Sequence, residues 1–120
     1  MQPVEFVTFL FSTRDCIHLQ HLNTTSFAEH KALNEFYDEW LELADTFIET
    51  YQGKYGRIEG NVGIDIVVGG LDSKGYLEMS YNFIESNYKS IVKASDSDLL
   101  NIIADMKGLI NHTLYLLTLK

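Results

Sequence analysis

At 120 residues and 13.7 kDa the chain has the size of one domain, and 46% apolar against 22% charged residues excludes a disordered polymer. Seventeen acids against nine bases give a net charge of -8, which argues against direct nucleic-acid binding, since phosphate needs a basic face. No apolar run reaches the roughly 18 residues of a membrane-spanning helix.

The N-terminus, Met1 to Glu5, has neither a basic region nor a cleavage site, so a standard secretory leader is not expected. Apolar residues from Val4 to Leu22 then recur on a wide face, predicting a helix over 4–22, with a strand over Val4–Phe11 as the alternative. The single cysteine, Cys16, allows no internal disulfide and fits a reducing cytoplasm. Asn23-Thr24-Thr25-Ser26 breaks the pattern, and Ser26 with Glu29 has capping-box spacing. A second helix is predicted over 27–52, its apolar stripe running from Leu33 through Trp40 to Tyr51, with Gly53 as its stop. Seven of the eight glycines fall between Gly53 and Gly75. That connection holds one apolar run, Ile64 to Val68. A third helix is predicted over 76–92. After a cap-rich break, in which Ser95 and Asp98 have cap spacing, a fourth is predicted over 98–119.

Pro3 is the sole proline, which suits long helices. The short first and third breaks make antiparallel hairpins. The long middle connection, 53–75, reads as an end-to-end crossover, with a disordered linker as its rival. The expected architecture over 1–120 is therefore one all-α, ferritin-like four-helix bundle with a long crossover between helices two and three.

His18 and His21 lie three apart on the first helix, hence on one face. From His30, rotation by about 100° per residue brings Asn34, Asp38, Asp45 and Glu49 into one sector beside the apolar stripe. Imidazoles and carboxylates at such a border suit iron, manganese or zinc. The hairpin turn is expected to set His18 level with His30. Asp45 lies roughly 22 Å along the axis from His30, so it and Glu49 could reach that ion only from a second chain across a twofold axis. Equally, Asp45, Glu49 and Asp38 read as a solvated face, and His18 and His30 as hydrogen-bonded core-edge residues. His112 and Cys16 read as structural.

The stretch from Arg14 to Gly53 resembles the Dps-type mini-ferritins: the spacing of His18, His30, Asn34, Asp45 and Glu49 matches that family's motif at every step. The wording of His21-Leu22, Ser26 to Leu33, Phe36-Tyr37 and Tyr51 to Gly56 resembles short ferritin-like proteins of tailed bacteriophages. Asn34 stands where the mini-ferritins carry aspartate, and Leu19 where they carry tryptophan. The resemblance implies an iron-oxidising site between subunits of a homodimer or larger homo-oligomer; His21 or Asp38 could replace, as an auxiliary ligand, the carboxylate missing at Asn34. The expected function is iron binding or oxidation. The alternative is a non-catalytic, acidic, oligomeric helical protein, phage-encoded, that engages a host protein in the host cytoplasm. Neither reading has direct nucleic-acid or membrane binding.

Overall fold

A computed structural model of the protein describes residues 1–64 and 71–120. Four helices carry the chain: α1 (Pro3–Asn23), α2 (Phe27–Tyr55), α3 (Ser73–Asn87) and α4 (Ser97–Leu116). A 3-10 turn, Tyr88–Ser90, follows α3, and there is no strand among the described residues. The Val4–Phe11 segment is helical.

Local chemistry sets the helix ends. Ser26 Oγ accepts from the Glu29 amide at 3.2 Å and starts α2. Glu29 does not return a bond to the cap; its carboxylate accepts from the Ser73 hydroxyl at 2.7 Å, tying α2 to α3. α2 runs past Gly53 and stops at Gly56, whose φ of 92° is open to glycine and strained for other residues. α3 begins at Ser73 rather than at 76 because Asp72 Oδ1 accepts from the Gly75 amide at 2.8 Å. It ends at Asn87 rather than at 92, where the Asn87 side chain donates to the Phe83 carbonyl at 2.8 Å. Asp96, not Ser95, occupies the cap position of α4.

Each helix packs against two neighbours, in the cyclic order α1–α2–α4–α3. Contacts fix the directions. Phe6 meets Phe47 and Leu10 meets Trp40, so α1 and α2 are antiparallel. Lys54 reaches Asp96 while Glu39 lies near His112, so α2 and α4 are antiparallel. Phe9 stacks on Phe83 while Gln20 reaches Leu71, so α3 opposes α1. Hence α2 and α3 point the same way, and the chain between them returns along the length of the molecule. Its first part lies over the N-terminus, where a Cβ on Gly60 would sit 3.0 Å from Val4, so only glycine fits without displacement. Its last part is held where the Gln20 side chain donates to the Leu71 carbonyl at 3.1 Å. Ile64 is exposed; the rest of the Ile64–Val68 run lies outside the described residues.

The core contains Phe6, Leu10, Ile17, Leu33, Phe36, Trp40, Phe47, Leu77, Ile84, Leu99, Met106 and Ile110, all essentially sealed from water. Full burial of such a side chain contributes about 1.5–3 kcal/mol. Trp40 satisfies its indole N–H on the Leu10 carbonyl at 2.9 Å. No helix among the described residues is long and apolar enough to cross a membrane.

Candidate functional site

The first hairpin turn brings His21 and His30 together. Their rings stack with centroids 3.7 Å apart. His21 Nδ1 donates to the His30 carbonyl at 2.6 Å, and His30 Nδ1 donates to the His21 carbonyl at 2.8 Å. A carbonyl only accepts, so each Nδ1 carries a proton, and in the neutral ring the lone pair lies on Nε2. The His21 carbonyl belongs to the last turn of α1 and has no partner within the helix, so His30 caps that end. The expected His18–His30 level pair is corrected here. The hairpin pairs 21 with 30, 10 with 40 and 6 with 47, because the turn between Asn23 and Phe27 is centred nearer residue 25 than residue 24.

His18 sits one turn back, stacked on Tyr37 at 4.3 Å. Arg14 Nη1 lies 3.2 Å from His18 Nδ1. The guanidinium can only donate, so that nitrogen is the acceptor and its lone pair is occupied. Arg14 also pairs with Asp15 at 3.1 Å and lies over the Tyr37 ring. The Tyr37 hydroxyl donates to Asn34 Oδ1 at 2.6 Å. His18, Asn34, Tyr37 and Arg14 thus form one half-buried cluster, joined to the His21–His30 stack through Tyr37. A cation in its centre opposes a second cation there.

Asp38, Asp45 and Glu49 lie elsewhere. All three are exposed on α2; Asp38 follows Tyr37, while Asp45 and Glu49 lie 15 and 19 residues beyond His30 along the helix. Among the described residues, no group of three or more His, Cys, Asp or Glu side chains is placed to hold a metal ion within one chain. His21 and His30, through Nε2, have the chemistry to accept one.

The same helix carries a different arrangement. Between Lys31 and Lys54, α2 has six acids, Glu35, Asp38, Glu39, Glu42, Asp45 and Glu49, and no base. All six are exposed, and none enters an ion pair among the described residues. Glu39 and Glu42 border an open groove of about 820 Å³ between α2 and α4. Its floor has Leu43 and Leu109; Asp105 and His112 complete the polar rim. Ala104 and Gly108, four apart on α4, keep it open, and a Cβ on Gly108 would meet nothing within 4 Å. His112 therefore faces a groove, not a core. Cys16 is buried.

At the far end, Asp96 is 3% exposed and accepts from the Tyr55 hydroxyl, from Lys54 Nζ at 2.9 Å and from the Lys93 amide at 2.9 Å. The Tyr55 hydroxyl first, then the Lys54 ammonium and the Lys93 amide, hold its carboxyl at a pKa of about 2. Asp98 is lowered by the Leu99 amide and by Lys54. Lys54 is raised, chiefly by its bond to Asp96.

A family model described as "Family of unknown function (DUF5856)" matches residues 21–117. The chain is also similar to the "Uncharacterized 14.6 kDa protein in mobD-ri intergenic region" of Enterobacteria phage T4. The two are 28% identical over 116 residues, covering 97% of this chain and 88% of that protein. No solved structure matches.

Proposed function

The chain belongs to the DUF5856 family, a family of unknown function, and we propose that it is a non-catalytic helical interaction protein whose acid-rimmed α2–α4 groove receives a basic segment of a partner protein. One observation carries this reading. Glu39, Glu42 and Asp105 rim an open trough with a leucine floor, and the middle of α2, which carries the two glutamates, has no base to neutralise them. A lysine- or arginine-bearing amphipathic segment complements both features, with apolar contact below and opposite charge above. The likeness to a phage T4 protein over most of both chains supports placing such a partner in phage-infected cells.

The test is site-specific photo-cross-linking from position 46, inside the groove, against position 78 on α3. A partner captured from position 46, and lost in Glu39→Lys/Glu42→Lys, is expected. Equal capture from both positions, or none from position 46, overturns the reading.

A second reading, a divalent iron, manganese or zinc ion held between two copies as in the mini-ferritins, is favoured by the Nδ1-bonded His21 and His30, whose Nε2 atoms take no hydrogen bond among the described residues. A carbonyl-oriented imidazole of this kind is the usual form of a metal ligand. Asp45 and Glu49 of a second copy would supply the carboxylates, with His18 joining only if Arg14 releases it. Titration calorimetry with Fe(II), Mn(II) and Zn(II) tests it. Uptake that falls in the surface variant Asp45→Asn/Glu49→Gln is the expected result. No uptake by the unaltered chain at neutral pH ends it.

A further inference from the structure

We propose that the cleft between the 3-10 turn and the first turn of α4 is a binding site for a small amphipathic carboxylate. Tyr88, Lys89, Val92, Lys93, Ala94 and Leu100 line a cavity of about 520 Å³, inside the range of roughly 300–1,000 Å³ typical of small-molecule sites. Its two sides differ in chemistry. Val92 is buried in the core, and Tyr88 and Leu100 pack against that core, so the inner wall is apolar and rigid. Two lysines, Lys89 and Lys93, also line the cavity; the Lys89 ammonium lies over the Tyr88 ring at 5.9 Å and the Lys93 ammonium over the Tyr55 ring at 5.5 Å.

Charge selects the ligand. Among the described residues, Arg14, Lys54, Lys74 and Lys107 each pair with a carboxylate. Lys31, Arg57, Lys89, Lys93 and Lys120 form no ion pair there, and Lys89 and Lys93 line a common cavity. The stretch from Ser86 to Ser95 contains both lysines and no acid. The carboxylates that follow next in the chain are already engaged. Asp96 holds Tyr55, Lys54 and the Lys93 amide, and Asp98 holds Lys54. In a chain of net charge -8 this cleft is thus locally positive. A ligand with a short apolar body and one carboxylate would bury the first against Val92 and Leu100 and set the second between the lysines. The site is separate from the α2–α4 groove, and neither proposal depends on the other.

The test is a heteronuclear NMR titration of the full chain with sodium octanoate below its micelle concentration. Octyltrimethylammonium (same tail, opposite charge) and acetate (head alone) are the controls. Octanoate is expected to shift the amides of residues 88–100 saturably, and the two controls to do so far more weakly. Lys89→Gln/Lys93→Gln, which removes charge from two exposed side chains, is expected to weaken octanoate at least about tenfold. Ala94→Trp, at an exposed position on the rim, is expected to block it by filling the cleft. The proposal is overturned by the absence of localised shifts, by octyltrimethylammonium binding as tightly as octanoate, or by unchanged affinity in the double lysine variant.

Discussion

Asp96 satisfies three donors from two separate parts of the chain with one carboxylate. Because two of them, the Tyr55 hydroxyl and Lys54, belong to the last turn of α2, the side chain joins that turn to the start of α4. The consequence is a pH dependence of known sign. The folded pKa of about 2 is below the ordinary carboxylate value, so the contribution of Asp96 is complete above about pH 4 and is lost as pH falls toward 2. Thermal melts between pH 2 and 5 are expected to show a steep loss of stability on acidification, and Asp96→Asn a shallower one. An equal slope in the variant would exclude this role. Sequence reasoning placed Asp96 in a capping break, because local rules govern adjacent residues and Tyr55 is 41 positions away. The same limit explains the histidines. Their residue type and helical face were readable, but the partner of His30 depended on where a three-residue turn is centred, and one turn of α1 separates His21 from His18. Arg14 and Tyr37, which occupy His18, gave no signal of their own.

The helices themselves were legible because their apolar spacing is long and regular, so that α2, for example, shows its stripe from Leu33 to Tyr51 without ambiguity. Their ends were not, since a glycine is a stop only when the backbone leaves the helix there. Gly53 and Gly56 make the comparison within one element. Gly53 is exposed inside α2 and a Cβ there would meet nothing, so Gly53→Ala is expected to stabilise the protein by about 0.5–1 kcal/mol. Gly56 has φ 92° and ψ 173°, a conformation nearly confined to glycine, so Gly56→Ala is expected to destabilise it by about 1–3 kcal/mol. Urea denaturation of the two variants reads both signs. The reverse order would mean that α2 ends at Gly53 in solution. α3 was placed three residues late for a related reason: Gly75 weakens the helical pattern, but Asp72 caps through its amide.

Across the whole molecule, the shared direction of α2 and α3 requires the intervening chain to join opposite poles. From Gly56 near the end of α2 to Asp72 beside Glu29, it must cover about 40 Å, the axial rise of α2 between those levels. Fully extended, the connection reaches about 55 Å; without residues 65–70 it would reach only about 34 Å. Deletion of 65–70 is therefore expected to prevent the native monomer, giving either unfolding by circular dichroism or a domain-swapped dimer by light scattering. A native monomer from the shortened chain would show that α3 can dock in the opposite direction. The shared direction of α2 and α3 agrees with the crossover expected from the length of this connection and from its apolar run, whose residues 65–68 lie outside the described ones.

Since α1 and α4 also share a direction, the chain enters at one pole and leaves at the other, along a body 43 Å in its longest dimension. Anything fused to Met1 and to Lys120 would be held toward opposite poles rather than brought together. The fold therefore sets its two ends far apart, and energy transfer between dyes at the two termini would measure their separation.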